Sequence, residues 1–273
     1  MDQRPSERRA ATRTAVVWDA VAGALDAGVP GTGDGSGAGR GEPRHVVDIG
    51  GGTGGFAVRV ARLGHRVTVV DPSPDALASL ARRARESDVA DLVTGVQGDL
   101  AGLPALVEAG LVDHGQGAGA DMVLCHGVLG LLDDPADGLV RIRQLLRPGG
   151  ALSLLVSQRH AAVLARAMAG HFRAAQEIVQ EMVQESGASI DPVGAQQGVE
   201  HRFTAQELSG LLADSGYDLT TMQAVRVFTD LVPGSLLDLE PGAGTALLEL
   251  ERAVAERPEY LTLAAQLHAL ATV

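Results

Sequence analysis

The run Val46-Val47-Asp48-Ile49-Gly50-Gly51-Gly52-Thr53-Gly54 constrains this chain more than any other, because a short apolar strand ends in an acid and runs straight into a glycine-rich turn. Gly50, Gly52 and Gly54 can take positive φ and leave no side chain between the backbone and a ligand. The stretch 56–63 reads as the helix whose N-terminus closes such a pocket. Gly50, Gly52 and Gly55 also fit the pattern G-x-G-x-x-G, so the turn alone suits a dinucleotide as well as S-adenosylmethionine (SAM). Asp48 tips the choice towards SAM: a carboxylate two residues before the first glycine suits a cationic amino-acid ligand and would repel a pyrophosphate. An ordinary tight turn of an α/β protein is the remaining reading.

Around this turn the chain alternates strand and helix. Strands are expected at 45–49, 66–70, 92–97, 121–126 and 151–157, and helices at 55–63, 74–87 and 136–146. Nearly continuous apolar strands between helices indicate a parallel sheet covered on both faces, and ligands of such sheets sit beyond the carboxyl ends of the strands. Before the sheet, Ala15, Val16, Val17, Trp18, Val21 and Leu25 recur at helical spacing within 8–27. The run 28–41 alternates glycine with small residues and reads as a flexible linker. After the fifth strand we expect one long helix over 161–184 and a polar loop over 185–200. Thr204 and Glu207 then form a capping box opening a helix to 215. A strand over 219–232, a helix over 244–256 and an apolar segment of open type over 261–273 complete the reading.

A length of 273 residues with 45% hydrophobic content is ample for a buried core. The net charge of −12 disfavours non-specific attraction to nucleic acid or anionic membrane, although a local basic face is compatible with it. Every basic residue among the 22 is arginine, and without lysine neither Schiff-base chemistry nor a Walker lysine is available. Cys125 is the single cysteine, so no intrachain disulfide and no cysteine-based zinc cluster can form. No metal is expected. The N-terminal stretch carries Arg4, Arg8, Arg9 and Arg13 without a long apolar run, so neither a signal peptide nor a membrane span is expected, and a cytoplasmic location follows.

Polar residues fall where the sheet would offer them to a ligand. Asp71 ends the second strand, where a carboxylate can accept both hydroxyls of a ribose, in SAM or NAD alike. Asp99 and Leu100 follow the third strand, where an acid beside an apolar residue suits the amine and ring face of an adenine. Asp99 equally suits the cap of a helix starting near Leu103. The fourth strand ends in Cys125-His126-Gly127-Val128-Leu129, and Leu146-Arg147-Pro148-Gly149-Gly150 precedes the fifth. That Arg-Pro-Gly-Gly turn is familiar from SAM-dependent methyltransferases and separates them from dehydrogenases.

With these residues in place the chain resembles the class I SAM-dependent methyltransferases, and within them the bacterial tRNA 5-carboxymethoxyuridine methyltransferase family, over roughly residues 13–270. The more specific marks are His126 to Leu129, Met168 to Phe172, Val225 to Asp230, and Ala246 to Glu251 leading to Pro258 to Leu263. The resemblance implies a Rossmann-like α/β fold with a seven-stranded, mostly parallel sheet and a helical cap insertion. Its parts would be a lid helix at 1–27, a Gly-rich linker at 28–43, a SAM-binding core at 44–158, a cap at 159–203 and the rest of the core at 204–273. It further implies that Arg13 reaches the methionine carboxylate and that Gly50, Gly51 and Gly52 line the turn with Asp48. Asp71 would hold the ribose, Asp99 and Leu100 would frame the adenine, and His126 would lie at the cofactor near the transferred methyl.

On the substrate side, Arg226 is the candidate to hold an acceptor carboxylate, with Arg159 and His160 as secondary candidates. Arg159, Arg166 and Arg173 share one helix stripe that turns acidic at Glu177, which suits a solvated, self-paired face. The chain departs from the family in having Gly130 and Leu131 where an acid and an aromatic are expected. Glu177, Glu181, Glu185 and Asp191 stand where some members carry lysines. The acceptor implied by the resemblance is the carboxylate of a modified tRNA wobble uridine. A small-molecule O- or N-methyltransferase is the alternative, and a SAM-binding module without catalysis is a third reading.

Overall fold

The computed structural model describes residues 5–27, 43–108, 119–187, 201–237 and 241–273. The strands are β1 His45–Ile49, β2 Arg66–Asp71, β3 Val93–Gln97, β4 Ala120–His126, β5 Leu146–Ser157, β6 Asp218–Val225 and β7 Gln266–Thr272. The helices are α1 Pro5–Ala27, α2 Ala57–Ala61, α3 Pro74–Glu86, α4 Leu103–Glu108, α5 Pro135–Leu145, α6 Arg159–Met168, α7 Phe172–Gly187, α8 Ala205–Asp214, α9 Gly234–Leu237, α10 Ala243–Val254 and α11 Pro258–Leu261.

The strands form one seven-stranded sheet in the order β3-β2-β1-β4-β5-β7-β6. Only β7 runs antiparallel, and it does so to both neighbours. The Rossmann-like class I expectation therefore holds, and the segment 261–273, left open by the sequence, follows the short helix α11 and supplies the reversed strand. Alternation along each strand divides the core. Val47, Ile49, Val123 and Cys125 pack with Leu139 and Ile142 of α5 and Leu208 and Leu212 of α8. Val46, Val69, Met122 and Leu124 pack on the other face with Val58 and Val60 of α2 and Val17, Val21 and Leu25 of α1. Each such side chain removed from water contributes roughly 1.5–3 kcal/mol, so the second half of α1 is held as core.

Four boundaries differ from the sequence reading. The helix after the glycine turn spans only Ala57–Ala61, because the turn continues through Gly54 at φ +78°. The long helix over 161–184 is two helices, divided where Gly170 takes φ +77° and His171 N–H donates to Arg166 C=O at 2.9 Å, the wrap that ends a helix at glycine. The fifth strand begins at Leu146, because Leu146 pairs with Ala120. The strand over 219–232 stops at Val225, where Arg226 turns to φ +61°. The capping box is as read: Thr204 Oγ1 accepts from Glu207 N–H, and Glu207 accepts from Thr204 N–H. The glycine run at 28–41 and residues 188–200 of the polar loop lie outside the described residues. No described helix is long and apolar enough to cross a membrane.

Candidate active site

Parallel pairing brings the carboxyl ends of β1, β2, β3, β4, β5 and β6 to one edge of the sheet, and the reversed β7 presents its first residue, Gln266, at the same edge. Asp48, Asp71, Asp99, His126 and Arg226 therefore converge there although 178 positions separate the first from the last. The turn leaving β1 takes φ +69° at Gly50 and +55° at Gly52, and Gly50 N–H donates to Val70 C=O at 2.7 Å. A Cβ on Gly51 would stand 2.5 Å from Asp48 Oδ2 and 2.9 Å from Val69 Cγ1, so only glycine lets the turn lie on that carboxylate. Asp71 fixes the other side of the turn. Its Oδ2 accepts from Gly52 N–H and its Oδ1 from Ser73 N–H, both at 2.9 Å, which leaves one acceptor position on each oxygen.

Asp48 is buried, and burial, reinforced by the neighbouring Asp71 charge, pushes its pKa up to about 7. No donor reaches its carboxylate among the described residues. A cationic group arriving there would restore its ionisation, which is the chemistry an amino-acid ammonium offers. The buried Cys125 thiol is pushed up to about 12, chiefly by desolvation, and is not a nucleophile at neutral pH.

His126 ends β4 on the face covered by α1. Its ring meets Phe56 edge-on at 4.8 Å between centroids, Phe56 meets Trp18 of α1 at 6.2 Å, and Arg59 lies 3.8 Å over the Trp18 ring. Burial lowers the His126 pKa to about 4, so the imidazole is neutral. Its Nε2 lies 2.8 Å from Ser153 Oγ, and its Nδ1 is buried without a hydrogen-bond partner among the described residues.

Arg13 and Arg226 meet through a residue that sequence reasoning did not single out. Asp230 Oδ1 accepts from Arg13 Nη2 at 2.7 Å, and Asp230 Oδ2 accepts from Arg226 Nη2. Arg226 Nη1 donates to Gln266 Oε1 at 3.2 Å, and Arg226 Nε is buried with no acceptor among the described residues. The turn that carries Arg226 and Asp230 is organised by Glu251, 1% exposed, which accepts from the N–H groups of Val227, Phe228 and Thr229 at 2.8–3.0 Å and from Thr229 Oγ1 at 2.6 Å. Glu251 was legible in principle: it falls between Leu247 and Val254 on the buried stripe of α10, where an acid needs donors of its own.

The adenine pair needs a correction. Leu100 is 2% exposed and packs in the core with Leu103, Leu129 and Leu139, so its side chain is no surface for a ring. The physical reason is that Leu100 fills the space over Gly138, 3.4 Å from where a Cβ would stand. Asp99 is exposed and accepts from Gly102 N–H at 2.8 Å; since α4 begins at Leu103, Asp99 stands three residues before the cap position and braces the turn into the helix without being its N-cap. Arg159 is engaged elsewhere, with Glu207 at 3.0 Å and Arg202 C=O at 3.1 Å, and His160 Nδ1 lies 3.0 Å from Gln158 Nε2. Among the described residues neither Arg166 nor Arg173 forms an ion pair, so the self-paired stripe is not present there.

The edge fits SAM: a glycine cradle that a Cβ would fill, a buried carboxylate without a donor, and a second carboxylate with free acceptor positions. A family model described as a methyltransferase domain matches residues 47–152. The tRNA 5-carboxymethoxyuridine methyltransferase of Escherichia coli (strain K12) is 26% identical over 227 residues, 83% of this chain and 78% of that protein. The fold is shared with the CcbJ methyltransferase from Streptomyces caelestis (TM-score 0.53, 16% identity, 99% of this chain and 96% of that one). It is also shared with magnesium protoporphyrin IX methyltransferase from Synechocystis PCC 6803 with bound S-adenosylhomocysteine (TM-score 0.52, 13% identity, 97% and 82%). The chain is a SAM-dependent methyltransferase with the class I fold, and its sequence resembles that of the tRNA 5-carboxymethoxyuridine methyltransferases.

Proposed function

We propose that the enzyme methylates the carboxylate of 5-carboxymethoxyuridine at the tRNA wobble position. The observation that carries this reading is Arg226: a guanidinium at the ligand edge with its buried Nε lacking an acceptor, which a ligand carboxylate would supply. When bound, SAM supplies an electrophilic methyl on a sulfonium. Asp48 accepts from the ammonium of the cofactor, Arg13 pairs with its carboxylate, Asp71 takes the ribose hydroxyls, and Gly50, Gly51 and Gly52 let the backbone approach. Asp99 takes the adenine amine with its remaining acceptor positions. Phe56, backed by Trp18, covers the His126 ring and helps to exclude water from the transfer path. An acceptor carboxylate is already ionised at neutral pH, so catalysis rests on alignment and needs no general base. The corner between α6 and α7 supports an RNA partner. There Met168 and Phe172 are 62% and 66% exposed beside Arg166, His171 and Arg173, apolar and cationic groups of the kind that stack on bases and meet phosphates.

One observation favours a small-molecule O- or N-methyltransferase instead: the net charge of −12, which repels a polyanion. Labelled SAM with tRNA bearing 5-carboxymethoxyuridine decides between them. The proposal requires a labelled product lost on mild alkali, as a methyl ester is, and activity that falls with salt by about 0.7–0.9 log units per log unit for each phosphate contact. Turnover of a small acid, alcohol or amine with that tRNA left unmodified establishes the alternative.

A further inference from the structure

A row of polar side chains crosses the α1-covered face of the sheet from the candidate site to the far edge. His126 Nε2 lies 2.8 Å from Ser153 Oγ, Ser153 Oγ lies 2.9 Å from His268 Nε2, and His268 Nδ1 lies 3.1 Å from Gln223 Oε1. Gln223 Nε2 then donates to Glu256 Oε1 at 3.0 Å. The pairing explains the row: His126 and His268 both stand opposite Leu155, and Gln223 stands opposite His268, while Ser153, two residues before Leu155, bridges the two imidazoles on the same face. Ser153 and His268 are 0% exposed and Gln223 is 9% exposed, whereas Glu256 is at the surface. Glu256 and Gln223 line a cleft of about 420 Å³ between α1 and α10 that no residue of the glycine turn borders.

Such a row has only one consistent arrangement of protons. The Glu256 carboxylate accepts, so Gln223 must offer it the amide N–H and turn its carbonyl oxygen towards His268. His268 Nδ1 must then donate, which leaves its Nε2 as an acceptor. Ser153 must donate to that Nε2, and its oxygen is left to accept from His126. His126 therefore carries its proton on Nε2, and its buried Nδ1 is a bare acceptor. Burial keeps both imidazoles neutral: His126 falls to about 4, and His268, lowered further by His126, to about 3.

We propose that Glu256, Gln223, His268 and Ser153 are positioning residues that hold His126 in its Nε2–H tautomer, so that Nδ1 meets the ligand as an acceptor of N–H or O–H. The amide of Gln223 interrupts proton hopping, so the row orients and does not conduct. The inference extends the reading of His126 as a site residue. Its test uses the ligand-free protein and is therefore independent of which acceptor is methylated.

Two-bond 1H–15N correlation spectra of the ligand-free protein at neutral pH report each imidazole. The expected spectrum has a pyrrole-like Nε2 and a pyridine-like Nδ1 for His126, and the reverse for His268. Ser153→Ala removes the bridge in a near-isosteric way and should bring both His126 nitrogens towards intermediate values, with His268 keeping its Nδ1–H signature. Glu256→Gln frees the Gln223 amide to turn and should mix the His268 tautomers from the surface. An Nδ1–H or imidazolium state for His126 in the parent protein overturns the proposal. So do unmoved His126 resonances in folded Ser153→Ala, or unmoved His268 resonances in Glu256→Gln.

Discussion

Arg13 on the first helix and Asp230 in the turn after β6 meet at 2.7 Å across 217 positions of sequence. Because the other oxygen of Asp230 holds Arg226, one internal carboxylate occupies both guanidiniums that we assign to ligand carboxylates. The helix before the glycine turn and the turn that carries the acceptor-side arginine are thus joined through a group of the same chemistry as the ligands they await.

Arg13→Ala separates binding from stability. Its ion pair is largely exposed, at 53% and 24% of the two side chains, and such pairs contribute about 0–1 kcal/mol to folding. A charge-assisted pair with the cofactor carboxylate is worth roughly 1–3 kcal/mol. Calorimetry should therefore show S-adenosylhomocysteine binding about 5- to 150-fold weaker at nearly unchanged unfolding free energy. Undiminished affinity would remove Arg13 from the cofactor site.

Asp48 gives binding a pH dependence with a definite sign. With its pKa raised from 3.8 to about 7, ligand-free folding loses stability as pH rises from about 4 to 7 and is level above that, a loss on the order of a few kcal/mol. A cofactor ammonium lowers the pKa again, so binding below pH 7 releases a proton. Affinity should climb with pH to about 7 and then flatten, and Asp48→Asn should abolish the climb while stabilising the ligand-free protein at pH 8. A pH-independent affinity in the parent protein contradicts this role.

Glu251→Ala should destabilise the protein by roughly 2–4 kcal/mol in denaturant unfolding, since it leaves three backbone N–H groups near the Arg226 turn without their acceptor. Glu251→Gln keeps an acceptor oxygen and should lose less. Equal losses in the two variants would mean that packing, and not the carboxylate, organises the turn.

The lid role proposed for α1 can only concern its first half. Val17, Val21 and Leu25 are 0–3% exposed in the core, so amide exchange in 17–27 should be slow without ligand, and added S-adenosylhomocysteine should slow exchange only at 5–16. A ligand-induced gain spread evenly over the whole helix would show that α1 docks as one unit.

The cofactor edge was legible because its residues are local: Asp48 and the glycines sit in one nine-residue run, and Asp71 follows on the next strand. Leu100 misled because adjacency to Asp99 says nothing about direction, and the side chain turned into the core. Gln266 and His268 could not be read as partners of Arg226 and of Ser153 and Gln223, since those meetings depend on β7 entering the sheet backwards between β5 and β6, whereas Asp230 lies only four positions from Arg226 and its second partner, Arg13, is 217 positions away. Periodicity in 261–273 gave no hint of that reversal. The split of the cap helix at Gly170 had a local signal, a glycine beside His171, but the surrounding helical spacing outweighed it.

That reversed strand also sets a dependency. Among the described residues β6 pairs with β7 and with no other strand, so its place in the sheet is set through residues 266–272, while Glu251 and the Ala255 carbonyl, which accepts from Ala224 N–H at 2.7 Å, hold its end from outside the sheet. The cofactor edge, built on β1, β2 and β4, completes its pairing without them. The strands that carry the glycine turn thus have all their neighbours without the C-terminal segment, whereas β6 has a place in the sheet only when the closing strand has been threaded into its slot.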